Sequence, residues 1–299
     1  MPRTASVRVP ASSANLGPGF DVLALALDLH LEVTAREAEK TTIAWEGEGA
    51  GDVPHSSRNL LVRAAQEPFR GWSRPLEGLE LTVRNRVPIG RGLGSSAAAI
   101  VAGIVLGGKL RGLRMSRQRV LELAFPLEGH GDNLAAALYG GFCIAAVEDG
   151  GVRVHRLDWP PRWRSLILVP SALSPTHEAR RLVPRRPARE DAVFNLGRVA
   201  EWVLATVRKE RSLVSSAMDD RLHQPGRVRA YPYLDDVIAA AEQAGALGAA
   251  LSGAGGSVIA IADRNLAGIS RAMGAVARRH GIEHRVLTLS AARTGALPG

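Results

Sequence analysis

The 299-residue chain has a single cysteine, Cys143, which excludes an intrachain disulfide framework and any zinc site built on several thiolates. That usage suits a reducing, cytoplasmic setting, although a cysteine-poor secreted protein would look the same. Aromatic residues make up only 4% of the chain, so a core must be assembled from Ala, Val, Leu and Ile. Lysine is scarce: Lys40, Lys109 and Lys209 are the only three, and every other basic residue is an arginine. The N-terminal segment MPRTASVRVP has no apolar h-region, so no secretory signal is expected. Long apolar runs are also missing. Leu93 to Leu106 comes nearest, but it is shorter than the roughly 20 residues a bilayer span needs and contains Ser95, Ser96 and Gly103. It reads as a buried core helix. There is no low-complexity tract and no repeat at a solenoid period.

Against these absences stand 46% hydrophobic and 22% charged residues, the balance of a soluble globular protein with room for one large domain or two moderate ones. The formal net charge is +9, from 38 basic and 29 acidic residues. Guanidinium forks suit carboxylates and phosphates, although a coding bias toward arginine gives the same surplus. Charge alone leaves nucleic acid, an anionic metabolite and no special partner all open.

Hydropathy patterning predicts a half-buried strand over 20–37, a strand over 79–84, and a Gly-rich turn leading into a helix over 95–110. A helix follows over 117–127 behind Ser116 as N-cap, then strands over 141–147 and 152–157. Pro160 and Pro161 mark a candidate boundary between domains spanning 1–160 and 161–299. Beyond it the pattern gives a strand over 166–169, an Arg/Pro-rich loop over 182–189 and helices over 191–209 and 234–244. Strands over 247–251 and 257–262, a helix over 264–279 and a strand over 283–289 complete it. Helices and strands mixed in both halves indicate a two-domain α+β protein.

The most informative string is Pro88-Ile-Gly-Arg-Gly-Leu-Gly-Ser-Ser-Ala-Ala98. Gly90, Gly92 and Gly94 permit positive φ and a close ligand approach, and the serines open a helix, so backbone N–H groups and a helix dipole converge on one point. That is a phosphate cradle, although the glycines alone could simply let strand and helix pack closely. Gly103 to Lys109 spells the start of a Walker A motif. Leu110 stands where Ser or Thr is required, and the segment lies within a helix rather than at a strand-to-helix turn.

Asn15 and Asp21 bracket a Gly-Pro-Gly turn, where Asp21 is suited to an ammonium group; the bland alternative is an ordinary Asn/Gly loop. Glu128-Gly-His-Gly-Asp-Asn133 packs two carboxylates, an imidazole and an amide ahead of an Ala-rich helix that Asp132 or Asn133 could cap. Glu128 with Ser96 would make an oxygen site for Mg²⁺, whereas His130 reads as a structural hydrogen-bonding histidine. Leu251 to Ser257 is a glycine turn between strands, either a plain hairpin or a flap over phosphates. Thr176 to Arg180 and His223 to Arg227 add arginines in turn-rich contexts.

Together these strings resemble the GHMP kinases, and within them the homoserine kinase family, over roughly residues 7–262. The carriers are Ser12 to Asp21, the glycine loop with Gly-Leu-Gly-Ser-Ser-Ala-Ala, Glu128 to Asn133 followed by Leu138 to Gly141, Thr176 with Arg180, His223 to Arg227, and the Ser-Gly-Ala-Gly turn from Ser252. Gly131 and Gly256 stand where that family usually has proline.

The resemblance implies an N-terminal βαβ-type ATP-binding domain, a C-terminal ferredoxin-like domain and ATP-dependent phosphorylation of the L-homoserine side chain. By the same resemblance Asn15, Asp21, Asn133, Arg180 and Arg227 hold the amino acid. Pro88, Ile89, Gly90, Arg91, Gly92, Leu93, Gly94, Ser95, Ser96, Ala97 and Ala98 hold the phosphates, and Asn59 borders the adenine. Ser96 and Glu128 bind Mg²⁺, with Glu122 as an alternative ligand, and Thr176 lies near the attacking hydroxyl. Asp132, Asn133, Thr176 and Arg180 form the catalytic cluster, in which the role of Asp132 stays open. The implied partners are ATP, a small-molecule substrate and a second copy of the chain, with no nucleic acid and no membrane. A related kinase acting on another alcohol is the nearest alternative. A nucleic-acid module resting on the Arg180 to Arg189 run is the other, against which stand the few aromatics and the dispersed basic residues.

Overall fold

A computed structural model describes residues 3–71, 76–148, 151–173 and 176–297. The first sheet is built around one long strand, β2 (Gly19–Ala38). β1 (Thr4–Asn15) runs antiparallel along one edge of it, with register shifts at Pro10/Ala11 and Ala14/Asn15 that bend the strand toward the Gly-Pro-Gly turn. The other edge is shared. Leu31 to Ala38 pair with β4 (Gly78–Asn85), and Leu23 to Leu25 pair with β5 (Phe142–Glu148). β3 (Thr42–Gly47) lies parallel to β4, joined to it by a crossover carrying α1 (Leu60–Ala65), and β6 (Gly151–Leu157) closes the far edge against β5. The βαβ expectation thus holds for β3-α1-β4, and the rest of the sheet is antiparallel.

Three helices cover this sheet: α2 (Ser95–Leu110), α3 (Arg117–Glu128) and α4 (Asp132–Tyr139). α2 is apolar nearly all round because it is buried on nearly all sides, which disposes of any membrane reading. No helix among the described residues is long and apolar enough to cross a membrane. The Walker-like glycines in α2 have a packing role. A Cβ at Gly103 would meet the Leu61 carbonyl oxygen at 2.3 Å, and one at Gly107 the Ala65 oxygen at 2.1 Å, so only glycine lets α1 lie this close.

β7 (Arg164–Pro170) opens a second sheet of four antiparallel strands with β8 (Gly248–Leu251), β9 (Val258–Ala262) and β10 (His284–Leu289), in the order β10-β7-β9-β8. Between β7 and β8 the chain forms α5 (Thr176–Arg181), α6 (Arg189–Arg208), α7 (Val214–Ala217), α8 (Gln224–Arg227) and α9 (Leu234–Gln243). α10 (Leu266–Arg279) precedes β10. Taking α9 and α10 as the crossovers gives βαββαβ with strand order 4-1-3-2, the ferredoxin-like arrangement.

Alternation along β7 explains how the halves share one interior. Ile167 and Val169 join the core of the first sheet with Trp159, Trp163 and Trp202, while Leu166 and Leu168 face α9 and α10. Residues 290–297 return to the first sheet, where Ala292 donates to the Ala26 oxygen at 2.9 Å and Ala296 to the Ala137 oxygen at 2.9 Å.

Candidate active site

Four loops meet at one mouth where the two sheets adjoin, around a cavity of about 710 Å³. The first is the turn after β1. Asn15, Leu16 and Asp21 adopt φ of 69°, 49° and 56°, a left-handed backbone that non-glycine residues hold only when their surroundings enforce it. Those surroundings are visible. Trp202 Nε1 donates to the Leu16 oxygen at 2.7 Å, Asn195 Nδ2 to the Pro18 oxygen at 3.0 Å, and the His223 ring to the Gly17 oxygen at 2.7 Å. Asn15 then braces the turn itself. Its Nδ2 donates to the Gly253 oxygen at 2.9 Å and its Oδ1 accepts from the Asp21 N–H at 3.1 Å.

The second loop is the glycine string into α2. Gly94 is the N-cap, left-handed at φ 70° and without a side-chain cap, so the first-turn N–H groups of a 16-residue helix face the cavity without an internal competitor. A Cβ on Gly94 would lie 2.0 Å from Ser12 Oγ and 2.9 Å from Asn133 Oδ1, which themselves bond at 2.7 Å. The third loop, Ser252 to Ser257, locks onto the other two. Ser252 Oγ donates to the Gly92 oxygen at 2.8 Å and lies 2.8 Å from Ser13 Oγ, and the Gly253 N–H donates to the Ala14 oxygen at 3.1 Å.

The fourth loop joins α3 to α4. α3 ends at Glu128 because Gly129 takes the left-handed C-cap (φ 83°), and this turn brings Glu128, His130 and Asp132 onto one side. Ser96 Oγ donates to Glu128 Oε2 at 2.7 Å. His130 bridges the two carboxylates, with Nδ1 3.0 Å from Asp132 Oδ1 and Nε2 3.6 Å from Glu128 Oε1. Burial pushes the Glu128 carboxyl up from its ordinary value, against the opposing pull of Ser96 and His130. Burial also works to lower His130, but the Asp132 hydrogen bond and the two carboxylate charges outweigh it, so the imidazole titrates above 6.5.

The helix cap differs from expectation. Gly131 is the N-cap of α4, and Asp132 sits in the first turn with its Oδ1 accepting the Asn133 N–H at 2.7 Å. A Cβ at Gly131 would approach Val152 Cγ1 to 2.8 Å, so a larger residue there would require the Val152 side chain to shift.

His130 gives a direct check on this electrostatic picture. Its proton is favoured by the fold, so the associated stability is fully present below pH 6.5 and is lost as pH rises through the raised value. Titrating the ring by NMR is expected to show a midpoint above 6.5, which Asp132→Asn lowers. A wild-type midpoint at or below 6.5 would contradict the bridged arrangement.

At the end of the cavity nearest Asp21, Arg180 lines the wall and Arg227 lies buried behind it. Arg180 Nη2 bonds Asp21 Oδ1 at 3.1 Å. Arg227 is wholly buried: Nε donates to the Ala179 oxygen at 3.2 Å, and Nη1 donates to the Gly253 oxygen at 2.9 Å and lies 3.0 Å from His223 Nδ1. Among the described residues its Nη2 is buried without a hydrogen-bond partner, a costly arrangement unless a ligand completes it. Burial holds the His223 imidazole well below 6.5, so it stays neutral, accepting from Arg227 and donating to Gly17.

Of the residues singled out in the sequence, Asn15, Asn59, Ile89, Gly90, Gly92, Leu93, Gly94, Ser95, Ser96, Ala98, Glu128, Asp132, Asn133 and Arg180 line the cavity. Pro88 and Ala97 do not, and neither does Arg91, whose guanidinium turns away to the Ile89, Pro170 and Ser171 carbonyls. Asp21 and Arg227 reach the cavity only through Arg180 and the 253 turn. Asn59 is chiefly a helix cap, accepting from the Leu61 N–H at 3.0 Å and donating to the Pro54 oxygen at 2.8 Å. Glu122 pairs with Arg119 on the outer face of α3, away from the cavity. The side chain of Thr176 lies outside the described residues. Sequence patterning missed the apolar wall made by Leu31, Trp45, Val53 and Val87, which comes from β2, β3 and the segments following β3 and β4, far apart in the chain.

Comparison with known proteins agrees with this geometry. Residues 59–141 match the family model for the GHMP kinases N terminal domain, and residues 204–278 match that for the GHMP kinases C terminal domain. The chain is 39% identical over 291 residues to a homoserine kinase of Moorella thermoacetica, covering 97% of this chain and 98% of that protein. It is 43% identical over 263 residues to a homoserine kinase of Clavibacter michiganensis, covering 87% and 83%. The crystal structure of homoserine kinase from Cytophaga hutchinsonii superposes with a TM-score of 0.87 at 31% identity, over 98% of this chain and 96% of that one.

Proposed function

This chain belongs to the GHMP kinases, and from its place among the homoserine kinases we propose that it transfers the γ-phosphoryl group of ATP to the side-chain hydroxyl of L-homoserine, releasing ADP and O-phospho-L-homoserine. The observation that carries the reading is the meeting, at one cavity, of an uncapped helix N-terminus behind a glycine loop with an arginine–aspartate cluster in which Arg180 lines the cavity, Asp21 pairs with it and Arg227 is buried behind. The first suits phosphates and the second suits the carboxylate and ammonium of an amino acid.

In this reading the backbone N–H groups from Gly90 to Ala98 cradle the phosphates, and the wall of Leu31, Trp45 and Val87, with Asn59 at its edge, takes the base. Arg180 and the unpartnered Nη2 of Arg227 receive the carboxylate, and Asp21, held in place by Asn15, receives the ammonium. Asn133, fixed by Ser12, orients the acceptor hydroxyl, with Thr176 close by in sequence to Arg180.

Ser96 and Glu128 already lie in contact and offer the two hard oxygens that Mg²⁺ accepts alongside phosphates and water. Bound there, the ion would neutralise charge on the phosphate oxygens. Asp132 Oδ1 is occupied by two donors, His130 and the Asn133 N–H, so its part is to position and polarise rather than to strip a proton fully. A loose phosphoryl-transfer transition state needs no more than that.

The chain is further proposed to work as a homodimer. The enzymatic reading is tested by ³¹P NMR of the protein with ATP, Mg²⁺ and L-homoserine. A phosphomonoester resonance that grows with ADP, and only when homoserine is present, is expected; ADP and inorganic phosphate alone would contradict it.

A further inference from the structure

Asp220 stands in the connection between α7 and α8, and its side chain is wholly buried. Among the described residues no arginine or lysine lies within ion-pairing distance of it. Amide donors surround the charge instead. Oδ1 accepts from Asn195 Nδ2 at 2.7 Å and from the Leu222 N–H at 2.9 Å. Oδ2 accepts from the His223 N–H at 2.9 Å and from the Gln224 N–H at 2.6 Å. Burying a carboxylate is costly unless it is hydrogen-bonded in this way. A helix cannot satisfy its own first N–H groups, and in the short α8 Asp220 takes those of His223 and Gln224, fixing where the helix starts. Asp220 itself does not line the cavity.

α8 carries Arg227, and three links pass from the Asp220 segment to the surroundings of that guanidinium. Gln224 Oε1 accepts the Leu251 N–H at 2.6 Å, at the end of β8 that leads into the 253 turn. Asn195 donates to the Pro18 oxygen as well as to Asp220, and its Oδ1 accepts the Arg221 N–H at 3.0 Å, which ties the segment to α6. The third link is the His223 ring. A guanidinium has donors only, so Nδ1, 3.0 Å from Arg227 Nη1, is the acceptor, and the ring proton sits on Nε2, which donates to the Gly17 oxygen at 2.7 Å. Asp220 Oδ2 lies 3.6 Å from Nε2, a negative charge that favours the proton on that nitrogen. Asp220 therefore holds His223 twice, by the backbone N–H and by the ring, and the ring is one of the supports of Arg227.

We propose that Asp220 is a positioning residue for the substrate carboxylate: by fixing the first turn of α8 and the tautomer of His223, it holds the Arg227 guanidinium so that Nη2, unpaired among the described residues, is left for the ligand. The inference rests on the reading of Arg180 and Arg227 as the receptors of that carboxylate.

Asp220→Asn keeps the shape of the side chain but turns an amide NH₂ toward N–H donors. It is expected to raise KM for L-homoserine about 30-fold, while kcat and KM for ATP change by less than about threefold. On top of Arg227→Lys the same change is expected to add less than about threefold, because it acts through the guanidinium that is already gone. Equal rises in both KM values, a loss of kcat alone, or the full effect persisting in the Arg227→Lys background overturns the proposal. Nitrogen NMR of the wild-type chain gives a second test that needs neither a folded variant nor turnover. The His223 ring, identified by its proximity to the Phe20 ring 5.5 Å away, is expected to be neutral at ordinary pH with its proton on Nε2. A proton on Nδ1 would cut the link from Asp220 to Arg227 and refute the proposal, whether or not Asp220→Asn folds. A wild-type chain that phosphorylates other alcohols but not homoserine would overturn the substrate reading instead, and the ring tautomer would still decide the link.

Discussion

Glu128→Gln is expected to lower kcat by about 10³-fold while leaving the fold intact, the largest effect of any single change in the cavity. The amide is isosteric and can still accept from Ser96, which sits 2.7 Å away, so packing and the local hydrogen bond survive. What is lost is the anionic oxygen, and with it the affinity for a hard divalent cation. The defect should show as a higher Mg²⁺ concentration for half-maximal rate, partly relieved by excess metal.

A pH signature distinguishes this from a steric effect. Burial raises the Glu128 carboxyl above 4.5, and only the ionised form is a ligand, so wild-type activity should decline on the acid side through that raised value. The glutamine variant should lack this limb. Unchanged kcat and unchanged Mg²⁺ dependence would remove Glu128 as a metal ligand and shift attention to the phosphate-bound ion alone.

Arg227→Lys is expected to raise KM for L-homoserine about 10²-fold, roughly 3 kcal/mol of binding, with KM for ATP nearly unchanged. The guanidinium has Nε and Nη1 already spent on Ala179, Gly253 and His223, and its Nη2 is buried and unpaired among the described residues. Lysine keeps the charge but cannot brace three fixed neighbours and also present a donor to a carboxylate. Burial lowers the Arg227 pKa to about 10, so the group is still cationic at neutral pH, as an anion receptor must be. Because the same side chain steadies the Gly253 turn, the melting temperature is measured alongside. A loss of stability with a parallel loss of ATP affinity would mark Arg227 as structural. A rise in KM for ATP alone would move it to the nucleotide end.

Much of the glycine loop and its helix was legible in the linear order of residues. Gly90, Gly92 and Gly94 followed by two serines state a turn and a helix start, since glycine spacing and helix polarity are local properties. Ser116 as N-cap was legible for the same reason, and its side chain accepts the Arg119 N–H. What failed was decided by neighbours far away in sequence. The Arg91 guanidinium looks free to enter the cavity until the fold places the 170 and 171 carbonyls within its reach, which leaves its backbone N–H to the glycine loop. Asp132 looks like a cap until the chain enters α4 one residue earlier, at Gly131.

His223 and Arg227 lie four residues apart and were read together, but their pairing with Gly17 and Gly253 depends on two turns more than 200 and about 25 residues off, respectively.

The most direct test of the central claim is a comparison of kcat/KM, with saturating Mg²⁺ and ATP, for L-homoserine, D-homoserine, L-serine, L-threonine and mevalonate, with each product identified by mass. L-Homoserine is expected to exceed every other acceptor by at least about 10²-fold, because only it presents ammonium, carboxylate and a hydroxyl at the right reach to Asp21, Arg180, Arg227 and Asn133 together. Equal or better turnover of mevalonate, an alcohol with no amino group, would contradict the reading of the arginine–aspartate end while leaving the phosphate cradle in place.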